Sequence, residues 1–328
     1  MAYKFRTPIA PSQPSTSTTW VAVARDSGVA WATAEDLTDW TEYTFPNGHS
    51  SDYNQIAYGK DGSGNPRWVG VRNQANGEIA YANEVTGGVG DWSQVNIDAS
   101  TLADVAWGQD KWVTVGKQDV PGYNNTIHTS TDGASWSSLD ISGLTGIVTG
   151  TTILAIATNG SNTWVFPQQD RLYRSIDNAA SFSLVKDFDD GRTIRDVAYS
   201  DGTWVIVYKD SSNDGYAAGS TDLTNWSESA DDLAATIGTI AAGNGTYIAA
   251  NSNDILRSTD GSTWTKHLDV LAYGSAAEIA TDGTGNWFVA HADGGISYSE
   301  DDGVTWASAV DTGAEDYQGI AASVYLPV

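Results

Sequence analysis

The chain has 328 residues, with no cysteine, one methionine, 14 tryptophans and 16 basic against 41 acidic residues, for a formal charge of −25. The lack of cysteine excludes disulfides, thiol nucleophiles and Cys-based metal sites. The charge disfavours nucleic acid and anionic membrane surfaces as partners of the body, and no apolar run approaches the roughly 18 residues of a membrane-spanning helix.

Residues 1–18 read as an extended arm. They hold Lys4, Arg6 and three prolines (Pro8, Pro11, Pro14) in a Ser/Thr-rich stretch without an acid, so they are non-helical and basic. The arm carries +2 and the remainder −27, which favours docking of Lys4, Phe5 and Arg6 on acidic surface, its own or a neighbour's. The arm has no apolar core of a secretory signal, so none is expected.

From residue 19 onward three short phrases alternate. The first is a β-branched residue followed by Ala: Ile56-Ala57, Val105-Ala106, Ile156-Ala157, Val197-Ala198, Ile240-Ala241, Ile279-Ala280 and Ile320-Ala321. The second is an aromatic heading an alternating apolar run. It appears at Trp20, Trp68, Trp112, Trp164, Trp204, Tyr247 and Trp287. Alternation with period 2, bounded by Gly, Asp and Asn, predicts half-buried strands joined by tight turns. The third phrase closes each unit. Its best copies run from Ser130 through Asp132 to Trp136, from Ser258 through Asp260 to Trp264, and from Ser299 through Asp301 to Trp306. Weaker copies hold Asp177 and Phe182, and Asp222 and Trp226; those ending at Trp40 and Trp92 are weaker still. The Asp and Ser side chains suit backbone N–H groups of a turn, Gly supplies a positive φ, and the aromatic fills the gap beneath its own hairpin.

The third phrase resembles the Asp-box, or BNR repeat, of the sialidase-like propellers, over almost the whole chain but only as a repeat unit. A period of roughly 40–50 residues with strand-like content predicts an all-β repeat fold. The expected fold is a single seven-bladed β-propeller over residues 19–328, built of four-stranded antiparallel blades. The phase of the repeat predicts its closure: Trp20 has no β-branched-Ala phrase before it and Ile320 has no aromatic phrase after it. The C-terminal segment 318–325 is therefore expected to supply the innermost strand of the blade begun by residues 19–43, leaving no open edge.

Sialidases resemble one another in a Phe-Arg-Ile-Pro phrase, an arginine triad, a Tyr/Glu pair and an Asp acid. Here Phe5-Arg6-Thr7-Pro8 departs at its third position, and the spacing of Arg25, Arg72 and Arg171 does not single them out as a carboxylate clamp. Known sialidase rings have six blades. The four histidines (His49, His128, His267, His291) lack zinc-ligand spacing, and no phosphate loop or nucleophile elbow is present. Acidic stretches at 187–190 and 300–302 match no EF-hand and read as solvated turns. No cofactor, metal or catalytic residue is assigned.

Recognition is expected on the face opposite the Asp-boxes, in loops 43–53, 117–125 and 209–216, with Phe45, His49, Tyr53, Arg72, Tyr123, Asn124 and Tyr216 as candidates. The resulting expectation is a non-enzymatic scaffold or binding propeller. Degenerate Asp-box rings resemble accessory proteins of phage particles, which implies a structural or host-surface-binding component on the tail or capsid of a tailed bacteriophage. Its partners would be other virion proteins through the arm and a cell-surface glycan or protein; a cytoplasmic location is the other possibility. Two alternatives stay open: a sialidase-like glycoside hydrolase, and an assembly factor resembling the photosystem Asp-box propellers, which usually carry an arginine patch not evident here.

Overall fold

The computed structural model describes residues 18–24, 29–33, 40–43, 53–72, 77–83, 92–97, 101–117, 126–229, 233–235, 237–251, 253–267, 275–311 and 316–323. The arm residues Lys4, Phe5 and Arg6 lie outside them. Every described element is a strand, and every strand pairing is antiparallel. The described strands form seven sheets, each running outward from an innermost strand that holds the β-branched-Ala phrase or, in sheet 4, begins at its Ala157. Numbered along the chain, sheets 2 to 7 begin with Tyr53–Lys60, Thr101–Gly108, Ala157–Thr158, Thr193–Ser200, Thr239–Gly243 and Ala276–Thr281.

Sheet 1 is built from both ends of the described chain. Tyr317–Ala322 pairs with Thr19–Ala24 in the register Trp20↔Ala322 to Val23↔Gly319, and Ser323 N–H donates to Thr19 O at 2.8 Å. The innermost strands touch in cyclic order, Tyr317–Ala322 meeting both Tyr53–Lys60 and Ala276–Thr281. Closure follows from the phase of the repeat: each end alone leaves an unpaired ladder, and joining them satisfies both.

The expectation of a seven-bladed β-propeller made throughout of equivalent four-stranded blades is corrected in two respects. Sheet 5 has a fifth strand, Ala234–Ala235, which pairs with Asp214 and Gly215. Its fourth strand, Ser227–Glu228, is two residues long and covers only Ala218 and Gly219, so the rest of that outer edge is open to a second segment. Among the described residues the buried apolar side chains also gather into six cores rather than seven. Five lie between one sheet and the next; the sixth runs through sheet 7 and joins sheets 6, 7 and 1. Alanines at 280 and 290 make sheet 7 a thin partition, while Phe288 packs on Trp20 with ring centroids 4.3 Å apart.

The tryptophans divide into two sets, and this corrects the expectation for the Asp-box aromatics. Trp20, Trp112, Trp164 and Trp287, which head the second strands, are fully buried between sheets. The Asp-box residues Trp136, Trp226, Trp264 and Trp306 are only half-buried, while Phe182 and Trp92, in the weaker copies, are buried. An outer-strand side chain has a neighbouring sheet on one side only, whereas a second-strand side chain is covered on both. The larger hydrophobic contribution, several kcal/mol per fully buried indole at about 25 cal/mol per Å², therefore belongs to the inner set.

Side-chain oxygens stitch neighbouring sheets near the axis. Asp104, fully buried, accepts Val105 N–H on Oδ1 and Ile156 N–H of sheet 4 on Oδ2, both at 2.7 Å. Asp196, also fully buried, repeats this with Val197 N–H at 2.8 Å and Ile240 N–H of sheet 6 at 3.0 Å. The innermost strand has no further strand to bond, so its inner edge leaves amides that these oxygens satisfy.

Candidate functional site

The Asp-box turns occupy one end of the ring. In each, the Ser hydroxyl accepts backbone N–H groups of the turn and the Asp Oδ1 accepts the next ones. At the turn of sheet 3, Ser130 Oγ accepts from Asp132 and Gly133 (3.1 and 2.8 Å), and Asp132 Oδ1 from Ala134 and Ser135 (2.8 and 2.7 Å). The turns at Asp177, Asp222, Asp260 and Asp301 follow the same plan. Partial burial pushes the Asp177 and Asp260 carboxyls up, but the hydrogen bonds they accept outweigh it and hold both down at about 2. These carboxylates accept hydrogen bonds from the backbone of their own turns.

The turns are also latches between sheets. Arg67 of sheet 2 donates to Asp132 O, Lys111 of sheet 3 to Asn178 O at 2.6 Å, and Arg257 of sheet 6 to Asp302 O at 2.8 Å. At Gly261 (φ +74°) an added Cβ would stand 2.4 Å from Val205 Cγ2 of sheet 5. Glycine is needed there for its conformation and for lack of space.

The opposite end carries the connections between sheets and between second and third strands. Of the residues expected to bind there, Phe45, His49, Tyr123 and Asn124 lie outside the described residues, as does Arg25. Tyr53 and Arg72 are not loop residues. They face each other across the first two strands of sheet 2, fully or almost fully buried, with the guanidinium 5.3 Å from the ring centroid and ion-paired to Glu78. Burial raises the Tyr53 hydroxyl pKa, against the lowering effect of Arg72. This is a structural core cluster.

Tyr216 belongs to a different arrangement, which the sequence reading missed. Its ring stacks on Tyr208, its cross-strand partner, at 5.6 Å and 22°. Arg192 lies over the other part of the assembly, its guanidinium 4.1 Å from the Tyr208 centroid and 4.2 Å from that of Phe188. Lys186 Nζ stands 5.1 Å from the Phe188 centroid and Trp226 packs 5.9 Å away. Arg192 Nε donates to both Asp190 oxygens (2.9 and 2.8 Å) and Nη2 to Glu228 Oε1 at 2.7 Å. The side chain is 8% exposed, and its Nη1 is buried without a hydrogen-bond acceptor. Burial would lower the Arg192 pKa, but the Asp190 and Glu228 bonds raise it, so it stays cationic. A cation between two rings, fixed by two carboxylates, is a preorganised polar anchor with one unsatisfied edge. The signal in the sequence was Phe188, Arg192 and Tyr208 at the ends of consecutive strands, a coincidence that only strand register reveals.

Among the described residues no three His, Asp or Glu side chains gather as a metal ion would require, and no helix is long and apolar enough to cross a membrane. No protein-family model and no curated protein sequence matches this chain. Solved structures do resemble it. YCF48 bound to a D1 peptide is 16% identical with a TM-score of 0.59, covering 84% of this chain and 86% of that one. A catalytically inactive virginiamycin B lyase from Staphylococcus aureus with quinupristin is 11% identical with a TM-score of 0.63, covering 83% and 88%. The GH74 xyloglucanase from Xanthomonas campestris is 15% identical with a TM-score of 0.63, over 93% of this chain and 52% of that one. At such identities the likeness shows a β-propeller fold, shared by proteins of unlike activity.

Proposed function

We propose that this chain is a non-enzymatic binding propeller that engages a protein partner through the end opposite the Asp-box turns, with the Arg192 stack as its anchor. The observation that carries this reading is the rigid Phe188–Arg192–Tyr208 sandwich beside the half-buried Tyr216. Binding then orders few additional side chains. Arginine and tyrosine are also the residue types in which interface energy concentrates. Two of the three arginines weighed for a carboxylate clamp have other duties: Arg72 pairs with Glu78, and Arg171 with Asp170 and Asp187. The structure of YCF48 with a D1 peptide gives a precedent for a ring of this kind holding a peptide.

The proposed setting is the tail or capsid of a tailed bacteriophage particle, with Lys4, Phe5 and Arg6 of the arm docking on neighbouring virion proteins and a surface glycan or protein as the target. The opposite charges of arm and body support it. Mass spectrometry of purified particles tests this placement, and absence of the chain from them removes it. Affinity capture with the full chain and with Arg192→Met tests the anchor; partners retained equally by both would overturn it. The enzyme reading is tested with a fluorogenic sialoside and a glycan panel. Turnover that is lost in Arg25→Ala or Arg72→Ala would replace the proposal.

A further inference from the structure

A second feature at the same end of the ring is independent of the Arg192 stack. In five innermost strands the pairing with the second strand skips one residue just before the β-branched-Ala phrase. The breaks fall between Tyr53 and Gln55, Leu102 and Asp104, Ile194 and Asp196, Ala276 and Glu278, and Tyr317 and Gly319. The skipped residues are Asn54, Ala103, Arg195, Ala277 and Gln318. A bulge re-aims the side chain it skips. In Thr193–Ser200 both faces of the sheet are already taken: Ile194 packs in the core shared with sheet 4, and Asp196 reaches Ile240 of sheet 6. Arg195 stands between them on the innermost strand, which leaves it the inner edge and the axial opening.

Arg195 is partly exposed, and among the described residues no acceptor or carboxylate meets its guanidinium. By contrast Arg67, Arg72, Arg171, Arg192 and Arg257 each pair with a carboxylate. Arg174 also lacks such a partner, but its Nε is buried in the outer half of sheet 4. In a chain with 41 acidic residues, a guanidinium on an innermost strand that meets no carboxylate among the described residues needs a reason.

We propose that Arg195 is the recognition group of a ligand site at the axial opening opposite the Asp-box turns, and that its ligand is a small carboxylate. The planar fork matches two carboxylate oxygens. The positions at the same level are small at Ala103 and Ala277, which leaves room. Asn54 and Gln318 are held by their own contacts, Nδ2 donating to Leu102 O at 2.6 Å and Nε2 to Asp316 Oδ1 at 2.5 Å. Asp104 and Asp196 are directed at backbone amides of the next sheets rather than at Arg195. The negative body repels a polyanion, so a compact group with one charge fits and an acidic protein surface does not. Such repulsion is largely screened beyond about 10 Å at 0.1 M salt.

The test is calorimetric titration of the full chain with acetate, succinate and citrate at constant ionic strength, with chloride as the control. A saturable response to acetate is expected, stronger than to succinate or citrate, weakened at least tenfold in Arg195→Gln and partly retained in Arg195→Lys, which keeps the charge but not the fork. Arg192→Met should leave it unchanged, so failure of the partner-binding reading is distinguishable from failure of this one. The proposal is overturned by no saturable response, by an equal response to chloride, or by an equal response in Arg195→Gln. Misfolding of Arg195→Gln, read by far-UV circular dichroism, would also overturn it, because a guanidinium without internal bonds has no structural duty.

Discussion

Replacing Asp196 by alanine isolates the device that ties neighbouring sheets together. The side chain is fully buried, and its two oxygens accept Val197 N–H and Ile240 N–H. Alanine leaves both amides buried without acceptors, because the innermost strand has no further strand to offer one. Each orphaned group costs about 1–3 kcal/mol, so the pair costs about 2–6 kcal/mol. That is a large fraction of the roughly 5–15 kcal/mol by which folded proteins are stable. Asp196→Asn should cost about half as much, since its carbonyl oxygen still accepts one amide while its NH2 opposes the other. Equilibrium unfolding in urea, followed by tryptophan fluorescence and far-UV circular dichroism, gives the loss. Hydrogen exchange gives its location: the Ile240 amide should lose protection while amides of sheet 2 keep theirs. An Asp196→Ala variant within about 0.5 kcal/mol of the parent, with Ile240 still protected, would refute the reasoning.

Three further predictions rest on separate features. Gly261→Ala should cost at least about 2 kcal/mol, combining positive φ with a methyl 2.4 Å from Val205, whereas Gly202→Ala, also at positive φ but with open space around it, should cost about 1 kcal/mol in a thermal or urea melt. Trp164→Ala should cost about 3–5 kcal/mol and Trp264→Ala distinctly less, because the first is fully buried and the second half-exposed; equal losses would contradict the division of the tryptophans. Acid should destabilise the ring through its Asp-boxes. The carboxyls of Asp177 and Asp260 sit at about 2 when folded, against 3.8 as the ordinary value. The unfolded chain then binds more protons in this range, so their contribution is full above about pH 4 and is lost as the pH falls through 2. Melting temperatures measured from pH 5 to pH 2 should fall, and Asp177→Asn should flatten the slope.

What the sequence by itself determined was the strand content, the repeat and its closure, because each depends on residues close in the chain or on the phase of one local pattern. Trp20 without a preceding phrase and Ile320 without a following one were enough to join the ends. The turn at Ser130 to Ser135 was equally legible, since the Ser130 and Asp132 side chains bond amides within three residues of themselves. Only the tertiary structure decided what happens between sheets. Arg72 reads as an exposed recognition residue and is buried on Tyr53 because its neighbours come from the facing strand and from Glu78 beyond a turn. The Arg192 stack and the position of Arg195 depend on register: a one-residue bulge between Ile194 and Asp196 reassigns every side chain near it, and no local propensity encodes that step. The six cores and the fifth strand of sheet 5 follow from side-chain volumes and strand lengths meeting across a gap, which a repeat pattern, identical in each copy by definition, does not carry.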